Sequence, residues 1–119
     1  MLEPVLRRID EDMGASIERW SALLRIPSVS TDPAYADEAR RAAHWLIEQF
    51  EALGFRLELH ETEGHPVVLG HHPGPGGDAP HLLYYGHYDV QPPDPVELWH
   101  SGPFEPTVLD SAHGRKMVA

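Results

Sequence analysis

Leu82-Leu83-Tyr84-Tyr85-Gly86-His87-Tyr88-Asp89-Val90-Gln91-Pro92 contains the strongest pattern in the chain. Four apolar or aromatic residues end at a glycine, and a histidine and an aspartate follow, two positions apart. A short apolar run bounded by turn residues predicts a strand buried on both faces. Pro92 and Pro93 lack an amide hydrogen, so the strand must end by about Gln91. His87 and Asp89 then fall at its carboxyl end, where open α/β sheets place ligands. In extended chain they project to the same side. An imidazole there is well placed to bind a metal, with a carboxylate close enough to orient it. The spacing alone does not make the two touch.

Upstream, Val5, Ile9, Met13, Ile17, Trp20 and Leu24 recur at three or four residues, with charged residues between them. This predicts an amphipathic helix over roughly residues 3–25, its apolar stripe packed in a core and its end set by Pro27. Ile26-Pro27-Ser28-Val29-Ser30 reads as an extended loop. Asp32 as N-cap and Pro33 at the first helical position open a second helix, whose apolar face runs from Tyr35 to Leu53. Gly54 closes it. Alternation in Phe55-Arg56-Leu57-Glu58-Leu59-His60-Glu61 predicts a half-exposed strand. A turn at Glu63-Gly64 and the short run Pro66–Gly70 complete a hairpin. The segment 71–80 is a turn-rich loop. Thr107-Val108-Leu109 and Lys116-Met117-Val118 predict two short strands around the turn at 110–114. The order fits a layered α/β or α+β domain.

The chain has 119 residues, 41% of them hydrophobic and 24% charged, which suits one modest soluble domain. Its formal net charge of −10 argues against nucleic acid or an anionic membrane as partner. Without cysteine there is neither a disulfide scaffold nor a thiolate zinc site, so any metal must use His, Asp or Glu. Neither a signal-peptide core nor a membrane-length apolar run is visible, and a cytoplasmic setting is expected.

Several other patterns carry no chemistry. His60-Glu61-Thr62-Glu63-Gly64-His65 has one residue too many for a zincin helix and reads as strand and turn. His71 and His72 are adjacent and point to opposite sides if extended. His44, beside the apolar face of the second helix, reads as structural. Gly74-Pro75-Gly76-Gly77 lacks the Lys-Ser/Thr of a phosphate loop, and there is no Gly-x-Ser-x-Gly.

The run Leu82–Pro92, followed by Trp99 and Pro103-Phe104-Glu105-Pro106, closely resembles metallopeptidase family twenty, as do the leading helix, Ile26–Ser30 and Pro66-Val67-Val68. This is the di-zinc group of dipeptidases, glutamate carboxypeptidase, aminoacylase, acetylornithine deacetylase and succinyl-diaminopimelate desuccinylase. Tyr88 with Val90-Gln91-Pro92 looks most like the dipeptidase branch; the deacylases more often carry Thr between the His and the Asp.

The resemblance implies an α/β fold: the amino-terminal part of a three-layer zinc-exopeptidase catalytic domain, two helices and then a mostly buried sheet, incomplete at Ala119. Residues 1–119 would be part of the catalytic domain, and the lid and dimerisation domain would be absent. His87 would be a metal ligand, and Asp89 the catalytic-site carboxylate that holds its other ring nitrogen. Two zinc ions, with cobalt or manganese as possible substitutes, would activate a water for amide hydrolysis. The bridging aspartate, the general-base glutamate and the remaining ligands would follow Ala119, so the 119 residues alone would be inactive and bind zinc weakly. The implied substrates are dipeptides or small peptides. The alternatives are N-acyl amino acids, as in a deacylase, or no chemistry at all in an acidic module that kept only the scaffold. A homodimer is expected for a full-length protein only.

Overall fold

The computed structural model describes residues 2–112 and 114–118, with side chains described up to residue 114. The chain divides into two compact units, Met1–Ile26 with Pro93–Ala119, and Pro27–Pro92.

In the first unit, α1 spans Glu3–Leu24, as the periodicity predicts. Pro4 sits in its first turn, where a missing amide hydrogen costs no helical bond. Arg8 pairs with Asp12 one turn on at 2.7 Å, and Arg25 reaches Glu18 at 3.0 Å. Buried Ser21 returns its hydroxyl to the Ile17 carbonyl at 2.8 Å. The apolar stripe departs from expectation: Val5, Ile9, Met13 and Trp20 are all exposed. Amphipathic spacing states which face would be buried; it does not supply the surface that buries it. The same unit holds a 3₁₀ turn at Val96–Leu98 and an antiparallel hairpin of β3 (Thr107–Ser111) and β4 (Gly114–Val118), in the predicted place. Gly114 has φ +105° and starts β4 from a conformation that suits glycine. His113, within the predicted turn, lies outside the described residues.

The second unit carries the predicted helix and hairpin, here α2 (Ala36–Glu51), β1 (Arg56–His60) and β2 (Val67–His71). Asp32 does act as a cap, its Oδ1 accepting from the Ala34 amide at 2.9 Å, but Pro33–Tyr35 forms a 3₁₀ turn that leads into α2. At the other end the Gly54 amide donates to Glu51 and the Phe55 amide to Phe50, with Gly54 at φ +89°. This is a Schellman closure. The hydrophobic contact that accompanies such closures is Phe50 against Phe55, rings edge to face at 5.3 Å. Between the ends, Ala39, Ala42 and Ala43 are wholly buried, and their small size lets α2 lie close on β1 and β2. In the hairpin Leu57 and Leu59 are half-buried, opposite Gly70 and Val68, while Arg56, Glu58 and His60 face water. Arg40 on α2 grips Glu61 just beyond β1 with two bonds, 2.6 and 2.8 Å.

The expected buried strand at Leu82–Tyr85 does not form. These residues join no ladder and are 88, 85, 83 and 86% exposed. A strand exists only where a neighbour takes its amide and carbonyl groups, and among the described residues none does so there. Pairing begins further on. Val29 and Val90 form one parallel bridge, with the Val90 amide donating to the Ser28 carbonyl at 3.0 Å. Val29 is 1% exposed at this junction.

Candidate metal centre

The junction of Ser28–Ser30 with Tyr88–Val90 is tied by side chains from both segments. The Ser28 hydroxyl donates to the Tyr88 carbonyl at 2.7 Å, and the Tyr88 hydroxyl donates to the Pro66 carbonyl. The His65 ring holds the Ser30 carbonyl at 2.8 Å. Because a carbonyl can only accept, His65 must carry its proton on Nε2. Desolvation pushes the Tyr88 phenol above its ordinary pKa, with the Asp89 charge adding to the shift, so Tyr88 is a neutral donor across physiological pH.

On this frame His87 and Asp89 come together. His87 Nδ1 lies 3.0 Å from Asp89 Oδ1 and 3.1 Å from the Asp89 backbone oxygen. Both partners are acceptors, so Nδ1 is the protonated nitrogen. In the neutral ring Nε2 then carries the lone pair, and the ring is largely exposed. The other carboxylate oxygen, Oδ2, accepts the Ser30 hydroxyl at 2.6 Å. That bond, with a smaller contribution from His87, holds the Asp89 carboxyl below the usual aspartate range against the opposing effect of partial burial. Asp89 is therefore an anion at neutral pH, and the pair has the form of a metal-ligating imidazole backed by a carboxylate.

The chemistry of this pair suits one ligand position of a zinc site, which takes three or four protein ligands. Among the described residues, no group of three or more His, Cys, Asp or Glu is placed to hold a metal ion. Further histidines of the same unit lie on other segments. His60 pairs with Glu58 on the exposed face of β1, His72 packs at a tilt beside Phe55 and accepts the Gly74 amide, and the His71 and His81 ring centroids are 6.4 Å apart. His44 is exposed on α2.

Ser28, Ser30 and His65 were not singled out as contributors by sequence reasoning. The one available signal was the alternation of Ser28, Val29 and Ser30, a strand-like pattern inside what reads as a loop.

An imidazole backed by a carboxylate is compatible with one position of a metal site, and comparisons with known proteins point to metal-dependent hydrolases as relatives. No family model matches the chain. It is 32% identical over 114 residues, 96% of its length, to a cysteinylglycine-S-conjugate dipeptidase of Corynebacterium striatum. It is 30% identical over 117 residues to the Cys-Gly metallodipeptidase dug1 of Schizosaccharomyces pombe. A 66-residue portion is 47% identical to succinyl-diaminopimelate desuccinylase of Paraburkholderia xenovorans. The solved structure of the Saccharomyces cerevisiae dipeptidase Dug1p superposes with a TM-score of 0.80 over 97% of the chain, at 26% identity. The chain is thus similar in sequence to these metallodipeptidases and the desuccinylase, and it shares the fold of Dug1p over the region compared. It spans about a quarter of the length of the two dipeptidases, 23 and 24%, and 27% of the solved chain.

No helix among the described residues is long and apolar enough to cross a membrane.

Proposed function

We propose that the chain is the amino-terminal portion of the catalytic domain of a zinc-dependent exopeptidase, acting on the amide bond of dipeptides or small peptides. The observation that carries this reading is the geometry at His87: Nδ1 faces two oxygens of Asp89, which assigns the proton of the neutral ring to Nδ1 and leaves Nε2 of an exposed ring to bind a metal. In this reading His87 is a metal ligand. Asp89 fixes its tautomer and, as an anion, makes Nε2 a stronger donor. When bound, zinc supplies Lewis acidity toward the amide carbonyl and lowers the pKa of a water. Two ions per subunit, a separate lid and dimerisation domain, a homodimer and a cytoplasmic setting complete the proposal. Cobalt or manganese are workable substitutes, because histidine and carboxylate ligands accept several divalent ions.

The dipeptidase names of the relatives from Corynebacterium striatum and Schizosaccharomyces pombe, which align over nearly the whole chain, support the peptide substrate. The desuccinylase relative favours a second reading, N-acyl amino acid deacylation, over a shorter stretch. A turnover panel on the parent polypeptide separates the two, with Cys-Gly and related dipeptides against N-succinyl and N-acetyl amino acids under zinc, cobalt and manganese. Dipeptide turnover that His87→Ala abolishes is the expected result. Turnover of the acyl substrates alone would replace the peptidase reading, and no metal-dependent turnover would leave the acidic, non-catalytic module. On the parent polypeptide, Asp89→Ala is expected to weaken zinc binding at His87 by about 10- to 100-fold, measured by calorimetry.

A further inference from the structure

We propose that Ser30 is a positioning residue for this centre: its hydroxyl locks the Asp89 carboxylate in the rotamer that fixes the His87 tautomer. The inference rests on the metal-site reading above and extends it to a residue from a segment 59 positions away.

The argument begins with Asp89. Its side chain is more than a third exposed, and a carboxylate in that setting can turn about its terminal torsion and exchange the imidazole for water. The bond from Nδ1 to Oδ1, at 3.0 Å, does not by itself prevent that rotation. Oδ2 is held independently, by Ser30 Oγ at 2.6 Å. With one oxygen on Ser30 and the other on His87, the carboxylate plane is defined by both.

Ser30 is itself held. Its carbonyl accepts His65 Nε2–H at 2.8 Å, and its neighbour Val29, almost wholly buried, forms the parallel bridge to Val90. The hydroxyl is therefore presented from a fixed backbone, and a charge-assisted O–H···O⁻ bond of this length is among the stronger ones in proteins. A connected path runs from His65 through Ser30 and Asp89 to His87, and its last link decides which ring nitrogen is free. Without the hydroxyl, the backbone oxygen of Asp89 at 3.1 Å still accepts from Nδ1, so the expected change is a mixture of tautomers rather than a full reversal.

The test uses the chain with ¹⁵N-labelled histidine. Long-range ¹H–¹⁵N correlation reads the tautomer of each ring, and amide dispersion reports whether the variant is folded. In the unsubstituted chain at a pH where His87 is neutral, Nδ1–H should dominate. In Ser30→Ala, His87 should become a mixture with substantial Nε2–H, and its zinc affinity, followed by titrating zinc alone against the ring resonances, should fall by about tenfold, as for other residues behind a ligand. Ser30→Thr, which keeps the hydroxyl, should restore both. Ser28→Ala, which removes the neighbouring bond to Tyr88 but leaves Asp89 untouched, should leave the tautomer alone and so separates positioning from general loosening.

A folded Ser30→Ala variant with an unchanged His87 tautomer overturns the proposal. If the alanine variant does not fold, Ser30→Cys, similar in size and a weaker donor, is judged by the same criterion. Dominant Nε2–H in the unsubstituted chain overturns both the tether and the metal reading. A tautomer shift in Ser30→Ala, together with metal-dependent turnover by the parent polypeptide that His87→Ala leaves intact, supports the tether and removes the metal reading alone.

Discussion

The Ser28 hydroxyl and the Tyr88 backbone carbonyl, sixty residues apart in sequence, meet at 2.7 Å beside the Val29–Val90 bridge. Ser28 is 2% exposed, so no water readily replaces its hydroxyl. Ser28→Ala leaves the carbonyl short of a donor in a part-buried position. The expected cost is about 1–3 kcal/mol, read from urea denaturation of the chain. A loss well under that range would mean that water reaches the Tyr88 carbonyl.

Ala42 is fully buried on a helix lying close to the β1–β2 hairpin. Ala42→Leu adds three carbons where there is no room, and overpacking of this kind costs about 1–3 kcal/mol. Ala42→Ser, close in volume, brings a hydroxyl that can return to the carbonyl four residues back, and should cost less. Denaturation midpoints of the two variants, compared at equal m-value, check the order.

Arg40 and Glu61 give a pH signature. The bond from Arg40 lowers the Glu61 pKa below the usual glutamate range, outweighing an opposing desolvation. A carboxylate lowered in the folded state contributes stability that is present above its unfolded-state pKa and is lost as pH falls through the lower, folded-state value. The chain should therefore exceed Glu61→Gln in stability at neutral pH, and the two should converge in acid below the usual glutamate range. The pair is solvent-exposed, so the difference should be small and shrink in high salt. Thermal unfolding of both chains across acid pH, at low and high ionic strength, measures it. A difference that grows in acid would exclude this ion pair as its source.

Leu83 carries the most direct test of the 82–85 segment. With the side chain 85% exposed and the backbone unpaired, Leu83→Lys should change the stability of the chain by less than about 0.5 kcal/mol. Amide exchange should be fast at 82–85 and slow at Val90, whose amide is bonded to Ser28. A large loss from Leu83→Lys would show that the apolar run is packed in solution.

Both helices, the 56–71 hairpin and the β3–β4 hairpin were legible in the sequence because their signals are local. Periodicity set the α1 and α2 spans, Asp32 and Gly54 marked the ends of the second helical segment, and alternation set the half-buried face of β1. The nearness of His87 and Asp89 was also within reach, since residues two apart in extended chain share a side.

By itself the sequence determined local conformations, the end of the apolar run at His87, and the demand that Leu82–Tyr85 and the α1 stripe be covered. Only the tertiary structure decided that this demand goes unmet among the described residues, and that Asp89 is anchored on Ser30. The physical reason is the same in both cases. A side chain's preference for burial and a hydroxyl's capacity to donate are properties of single residues. The surface that covers the one and the acceptor that meets the other come from segments far away in the chain, through contacts that leave no periodic trace in either segment.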